Sequence, residues 1–546
     1  MVLTAIALLV SFILALLTIP LFSLIARRVG LVDNPDHHRK LHRAPIPMVG
    51  GLSLIVLVPL TTIVVINIDL LYPAMIGTWS QAVSHAISPQ LPMAELVISR
   101  NDLREFSGLL LAALVLFLVG VADDRFNIRG RHKLLGQILA VTVLIFAGFK
   151  FEHFFVFGYQ IDFGILSVFV IYAWTLAAIN SVNLLDGADG IAGTIGFIMS
   201  LAICAMALFT GKVFDAIVSA AIAGTLCGFL RFNFPPAKAY LGDAGSMLIG
   251  LLLSALAVRC TFKYSASYAF IAPLALLAIP FIDTLAAIIR RRLTGRSIFA
   301  TDRGHLHHSL MKRGYGPKVS LLWVAMFTST TSAGAVLTLV YRNPAYALIS
   351  IGIVMFVMIF CRIFGWAEYQ LINQKTFSLA RSFFRLGKKD AADVMEGSVH
   401  VQGSRNWKAV WTLLYDFADE NSLQQLTLDV NAPWLHESFH ATRRLGRSRL
   451  RDESKEWSTV IPLVVQQKVC GRVELHGLVG DLISHQDVIK NLIKVLADIE
   501  YSLGELDERF EPTAAPTLVG QSGSGQFMEQ NESVTADATH TSHLPR

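Results

Sequence analysis

Charge is scarce in this chain. Only 16% of its 546 residues are Asp, Glu, Lys or Arg, and 53% are hydrophobic. Soluble domains carry roughly 25% charged residues. That shortage, with a mean hydropathy of +0.54, excludes a soluble globular protein and points to an integral membrane protein. Cysteine is sparse too. The five present (Cys204, Cys227, Cys260, Cys361, Cys470) form no CxxC or CxxH pair, and four lie in or beside apolar runs, which argues against a disulfide framework or a zinc site. There is no clear internal repeat. No basic stretch precedes the first apolar run, so that run is read as a span and not as a cleaved leader. The net charge of +6 suggests nucleic acid only until its placement is seen: the basic residues sit beside the apolar runs, where topology explains them and no nucleic-acid partner is expected.

What is present is a series of apolar runs long enough to cross a bilayer, each needing about 20 residues. They lie near 3–25, 50–68, 107–122, 134–149, 163–182, 190–210, 214–230, 244–258, 265–289, 319–341 and 344–363, about eleven in all. Alternate loops between them hold nineteen Lys and Arg on one side and seven on the other. The richer side is therefore cytoplasmic, with the amino terminus outside and the carboxyl segment inside. The fold class expected is an all-α polytopic membrane protein with a small cytoplasmic α/β domain. Residues 1–363 form the membrane domain, 364–400 a basic juxtamembrane linker, 401–510 the α/β domain and 511–546 a disordered tail.

Five polar blocks interrupt the apolar part, and the count puts all five on the cytoplasmic side. VADDRFNIRGRHK places Asp123 beside Asp124, two carboxylates that need a cation or proton to sit together. A solvated loop flanking a helix is the plain alternative. NSVNLLDGADG carries Asn180, Asn183, Asp186 and Asp189 at three-residue spacing, with Gly187 and Gly190 permitting close backbone approach. Helix capping accounts for one of these four residues, not for all. FNFPPAKAYLGDAGS sets Asp243 between glycines where a helix begins, which suits metal, phosphate or an ordinary N-cap. RRRLTGRSIFATDRGHLHHSL gathers Arg296, Arg303, His305, His307 and His308, donors matched to a pyrophosphate. Arg290–Arg292 read as topology and headgroup markers. The first block places Lys40 and His42 near the membrane, for a lipid phosphate or for topology alone.

Taken in order and spacing, D-D, N-x-x-N-x-x-D-G-x-D-G, P-A-x-x-Y-x-G-D-x-G-S and H-x-H-H resemble the polyprenyl-phosphate N-acetylhexosamine-1-phosphate transferase family over residues 1–363. The resemblance implies transfer of a sugar 1-phosphate from a UDP-sugar donor to undecaprenyl phosphate in the bacterial inner membrane. It implies release of UMP and a requirement for Mg²⁺, with Mn²⁺ as a substitute. It implies catalytic roles for Asp123, Asp124, Lys133, His305, His307 and His308. Asp243 and Asp124 would hold the metal. Lys40, His42, Asn180, Asn183, Asp186, Asp189, Tyr240, Arg296 and Arg303 would bind substrate, Tyr240 standing where relatives place an aromatic residue near uracil. A homodimer follows by the same analogy. Asn127 stands where many relatives carry an acidic residue. Ser309 follows His308 where the peptidoglycan-precursor branch has an acidic residue, which favours N-acetylglucosamine as the sugar and surface polysaccharide as the product.

In the carboxyl segment, Val460–Val465 and Val469–Leu475 read as strands around a Gln-Gln-Lys turn, with Pro462 marking an edge. His485–Leu506 has helical periodicity. The pattern resembles a GAF-type sensory domain, and no residue set names its ligand or partner. Two rivals remain: a transporter, which would place charges at the bilayer midplane, and a membrane-anchored sensor, which leaves five polar blocks unexplained. The loop 69–106 has no assigned role.

Overall fold

A computed structural model describes residues 1–34, 45–73, 96, 98–151, 153–156, 159–261, 268–293, 304–364, 394–402, 407–421, 423–432, 437–445, 456–465, 468–478 and 487–496. The membrane part is a helical bundle. Its helices are α1 (Val2–Val29), α2 (Gly50–Leu71), α3 (Arg100–Phe126), α4 (Gly130–Ala147), α5 (Leu166–Leu185), α6 (Ile191–Phe209), α7 (Val213–Asn233), α8 (Gly242–Thr261), α9 (Tyr268–Leu276), α10 (Ala278–Leu293), α11 (Leu306–Lys312), α12 (Pro317–Val340) and α13 (Ala345–Phe360). Among the described residues, nine of these are long and apolar enough to span a bilayer. The run 265–289 is one more, broken: α9 and α10 meet at a 73° bend. The shorter α13 completes the expected set of about eleven.

Helices α7 and α8 form the centre, enclosed on nearly all sides. Backbones approach closely where side chains are small, as is usual when helices pack in lipid. A Cβ on Gly120 of α3 would lie 2.3 Å from the Ala244 Cα, and one on Gly51 of α2 would lie 2.7 Å from the Ala244 Cβ. So α2 and α3 clasp the first turn of α8. The outer rim exposes apolar side chains such as Leu17, Leu24, Phe146, Phe169 and Phe356, the surface a bilayer covers.

Three boundaries differ from the expectation in ways that matter for the site. Helix α3 begins at Arg100, fixed by a capping box in which the Ser99 hydroxyl accepts from the Asp102 amide and Asp102 accepts from the Ser99 amide. The long loop expected at 69–106 is correspondingly shorter. The same helix runs on to Phe126, so Asp123 and Asp124 sit in its last turn and not in the loop beyond it. Helix α5 runs to Leu185, three residues past the expected run, which takes Asn183 into the helix with Asn180. In each case a polar residue continues an apolar helix at the point where a hydropathy reading stops.

Two short antiparallel pairs flank the bundle: β1 (Val32–Asp33) with β2 (Ile46–Pro47), and β3 (His153–Val156) with β4 (Tyr159–Asp162). Beyond the bundle lie β5 (Val394–Gln402), α14 (Trp407–Glu420), β6 (Gln425–Ala432), β7 (Glu437–Leu445), β8 (Glu456–Val465) and β9 (Lys468–Leu478). They build one antiparallel sheet in the order β5-β7-β6-β9-β8. The strand holding Pro462 is at the edge, as a residue without an amide donor requires. Trp407, Trp411, Leu414 and Phe417 of α14 share a core with Leu428, Phe439 and Val473 of the sheet. A helical segment over 487–496 adds Val488 and Leu492 to that core.

Candidate active site

The polar blocks meet at one end of the bundle, where α1, α3, α5 and α7 finish and α2, α4, α6 and α8 begin. Lys133, in the first turn of α4, is the cation at the centre. Its ammonium lies 2.9 Å from Asp123 Oδ2, donates to Asp243 Oδ1 at 3.0 Å and donates to Asn183 Oδ1 at 3.1 Å. Asn183 turns its amide nitrogen the other way, donating to Asp243 Oδ1 and to Ser246 Oγ. Four elements (α3, α4, α5 and α8) thus hold one charged knot. A chain break at any of them would scatter it.

Asp124 is held differently from its neighbour. Its Oδ1 accepts from the Asp243 amide at 2.7 Å and its Oδ2 from the Ala244 amide at 3.2 Å. It caps the amino end of α8 from across the bundle, where a carboxylate also meets the positive end of the helix dipole. The adjacent pair therefore faces two different partners, Lys133 and the first amides of α8.

One turn deeper, Asn180 and Gln137 exchange hydrogen bonds at 2.8 and 3.2 Å, and Asn180 also donates to the Leu176 carbonyl. This pair locks α4 to α5 beneath the charged knot. Asp189 accepts from the Ala237 amide, and the Asn233 side chain joins the Gly190 amide to the Ala239 carbonyl. Those bonds stitch the D-G-A-D-G turn to the loop before α8. Tyr240 joins that loop to the first block: its amide donates to the Pro47 carbonyl, and its carbonyl accepts from Val49 and Gly50. Burial, with Asp189 and Asp33 close by, pushes the Tyr240 phenol up to about 12. Burial and the nearby charges of Asp243, Asp124 and Asp189 push Asp186 up to about 8.

The histidine block reaches the same end. His307 is 1% exposed and lies against the D-G-A-D-G turn, where a Cβ on Gly187 would stand 2.8 Å from its Cε1 and Nε2. Among the described residues neither His307 ring nitrogen has a hydrogen-bond partner. Burial and the rings of His308 and His305 hold its pKa well below the ordinary value. His305 stacks parallel to His307 with centroids 6.3 Å apart, and His308 tilts against it at 4.2 Å. Arg290 and Arg291 are buried, at 5% and 9% exposure, and a Cβ on Gly304 would lie 2.4 Å from the Arg290 guanidinium carbon. The reading of these two as headgroup markers is thereby corrected, while Arg292 is exposed.

A cavity of about 380 Å³ opens at this end, lined among others by Asp33, Asn34, Met48, Asp123, Asn127 and Asp243. Sequence reasoning passed over Asp33 and Asn34 in favour of the basic residues that follow them. It also missed Gln137, Ser246 and Asp283. Asp283 had a signal: it is the single carboxylate in the run 265–289, and ionisable residues at membrane depth are usually functional. Lys40, His42, Arg296 and Arg303 lie outside the described residues.

A half-buried knot of carboxylates, lysine and amides at the rim of a helical bundle, with an imidazole against the neighbouring D-G-A-D-G turn, suits phosphate chemistry. The comparisons agree. Residues 106–261 match the model of glycosyl transferase family 4. The chain is 27% identical over 387 residues to a probable undecaprenyl-phosphate N-acetylglucosaminyl 1-phosphate transferase of Bacillus subtilis, covering 70% of this chain and 97% of that one. It is 29% identical over 358 residues to a decaprenyl-phosphate N-acetylglucosaminephosphotransferase of Mycolicibacterium smegmatis, covering 61% and 82%. It is 26% identical over 320 residues to the undecaprenyl-phosphate alpha-N-acetylglucosaminyl 1-phosphate transferase of Escherichia coli K12, covering 57% and 78%. These similarities support the family that the motifs led us to expect.

Proposed function

We propose that the protein transfers N-acetylglucosamine 1-phosphate from UDP-N-acetylglucosamine to undecaprenyl phosphate, the first membrane step of a cell-surface polysaccharide. The observation that carries this reading is the four-helix knot of Lys133, Asp123, Asp243 and Asn183 at the rim of a cavity. Transfer joins a lipid phosphate to a nucleotide sugar. Only a site at the end of the bundle serves a substrate arriving from the bilayer and another arriving from water.

In this reading an oxygen of the lipid phosphate attacks the β-phosphorus. The new P–O bond forms as the bond from that phosphorus to the oxygen bridging the α-phosphorus breaks, and UMP leaves with the bridging oxygen. Both reactants are anions, so the site must offset their repulsion. Lys133 supplies a fixed positive charge beside Asp123, and Asp123 orients the acceptor phosphate and takes its remaining proton. The histidine block presents donors to the pyrophosphate.

Mg²⁺ belongs to the same proposal. Among the described residues no three carboxylate or imidazole groups surround one point. The balance of charge nevertheless fits a divalent cation, because half-buried Asp186 feels the negative charges of Asp243, Asp124 and Asp189. Asp243 and Asp186 would hold the metal, since both Asp124 oxygens already accept backbone amides. When bound, it supplies positive charge to the pyrophosphate and the leaving group. The inner-membrane location with a cytoplasmic site is also proposed, supported by the nineteen-to-seven distribution of basic residues. So is a homodimer, which the mass of the purified protein in detergent tests.

The direct test is UMP release by purified protein in detergent with Mg²⁺, undecaprenyl phosphate and UDP-N-acetylglucosamine. Release that requires the lipid and this donor is expected. Release only with the peptidoglycan precursor as donor overturns the choice of sugar, and silence with every UDP-sugar overturns the reaction.

A further inference from the structure

Asp283 lies in α10, inside the bundle and 1% exposed. A carboxylate is expensive there without partners. Its partners both come from the histidine block. His305 Nδ1 lies 2.7 Å from Asp283 Oδ2, and the Leu306 amide donates to Oδ1 at 2.7 Å. Arg290, seven residues and two turns further along the same face of α10, packs over Gly304. One helix face therefore grips three successive residues of the loop, Gly304, His305 and Leu306.

We propose that Asp283 is a positioning residue for transfer, acting through His305; the proposal rests on the reading of the function given above. An ionised carboxylate only accepts hydrogen bonds. Nδ1 of His305 must then carry the proton that joins it to Asp283, and Nε2 is the nitrogen left for substrate. The two bonds from one carboxylate, to the ring and to the next amide, fix the ring plane relative to the backbone. A phosphate oxygen arriving at Nε2 needs a donor there, which requires the doubly protonated ring, and the Asp283 charge balances that ring inside the bundle. The same contact logic orients histidines in other sites through an acidic partner. His307 shows the contrast: it is stacked on His305 but has no such partner among the described residues.

Asp283→Asn is the test. Asparagine keeps the size and an acceptor for the Leu306 amide, but presents an N–H to Nδ1, which forces the opposite tautomer or a rotated ring. UMP release should fall on the order of 10–100-fold, the scale seen when the acidic partner of a metal-bound histidine is removed, with the thermal midpoint in detergent unchanged. In a His305→Ala background the same change should cost nothing further. Nitrogen NMR of histidine-labelled protein, with the His305 signal identified by its loss in His305→Ala, should show a protonated Nδ1 in the wild type and its loss in Asp283→Asn. Losses that add in the double variant, or a wild-type His305 without a proton on Nδ1, overturn the proposal. The NMR result decides even for a wild type silent toward every donor, a silence that would overturn the reaction and not this contact.

Discussion

Helix α8 has a charged cluster at each end, and the two are built to opposite ends. At its start stand Asp243 and the Asp124 carboxylate that caps it, and a single ammonium, Lys133, reaches Asp243 and Asp123. Near its finish, Arg259 reaches three carboxylates: Asp102 at 2.9 Å, Asp215 at 2.7 Å, and Glu105. The Lys212 ammonium donates to the Arg259 carbonyl at the same place. Three nitrogens of a planar guanidinium are each matched to one acid, so the group ties α3, α7 and α8 together and leaves little for a ligand. The lysine knot is looser. A point charge on a flexible stem satisfies Asp123 and one oxygen of Asp243, and the carboxylates around it border a cavity. A closed cluster is a staple, and an open one of similar composition is a site.

That difference predicts a double dissociation, and the largest effects come from breaking it. Asp243→Asn should reduce lipid-dependent UMP release on the order of 10²–10³-fold, the scale of losing a group that offsets transition-state charge, and should leave the thermal midpoint within a few degrees. Arg259→Met should do the reverse. It strands three carboxylates around an apolar side chain, at a cost of about 3–5 kcal/mol for a broken buried pair. The thermal midpoint, read from tryptophan fluorescence in detergent, should fall clearly while activity per folded molecule stays near that of the wild type. An Arg259→Met protein that folds normally but cannot transfer would show that both ends belong to one site.

A smaller effect is expected at the seam between two blocks. Gly187→Ala introduces a methyl group 2.8 Å from two atoms of the His307 ring. The ring is buried, so it must shift and not simply swing into solvent. Activity should fall about tenfold, a cost of roughly 1.4 kcal/mol in the barrier. The double variant with His307→Ala should regain part of that loss, because the clash is gone. No recovery would mean that Gly187 serves its own turn and not the histidine.

The bundle was legible in the sequence because hydropathy reports membrane spans directly, and the five polar blocks were legible because charge is rare in such a chain. What the sequence did not show is which acid does what. Asp123 and Asp124 are identical in type and adjacent, yet only the packing of α3 on α8 turns one toward Lys133 and the other toward backbone amides. Asn180 and Asn183 share a helical face, but the turn between them separates an interhelical lock from the charged knot. Asp283 escaped because it lies alone in an apolar run and gains meaning only from a loop twenty-two residues later. Asp102, Glu105 and Asp215 lie far from Arg259 in the sequence, and only the packing of α3 and α7 on α8 collects them. Pairings across long sequence separations have no local signature.

The smallest effect separates the two members of the Asp123-Asp124 pair. Asp124→Asn keeps one carbonyl oxygen, enough to accept from either the Asp243 or the Ala244 amide, but not both. The loss is that of one cap bond and a charge at a helix start, about 1 kcal/mol. Its effect on transfer arises through a slight displacement of Asp243, and a few-fold decrease in UMP release is expected. Asp123→Asn removes the charge that faces Lys133 itself, and the decrease should be at least tenfold greater. Activities of both variants, measured at saturating donor and lipid, decide the matter. Equal losses would mean that Asp124 acts on substrate or metal directly, and the cap would then be its secondary role.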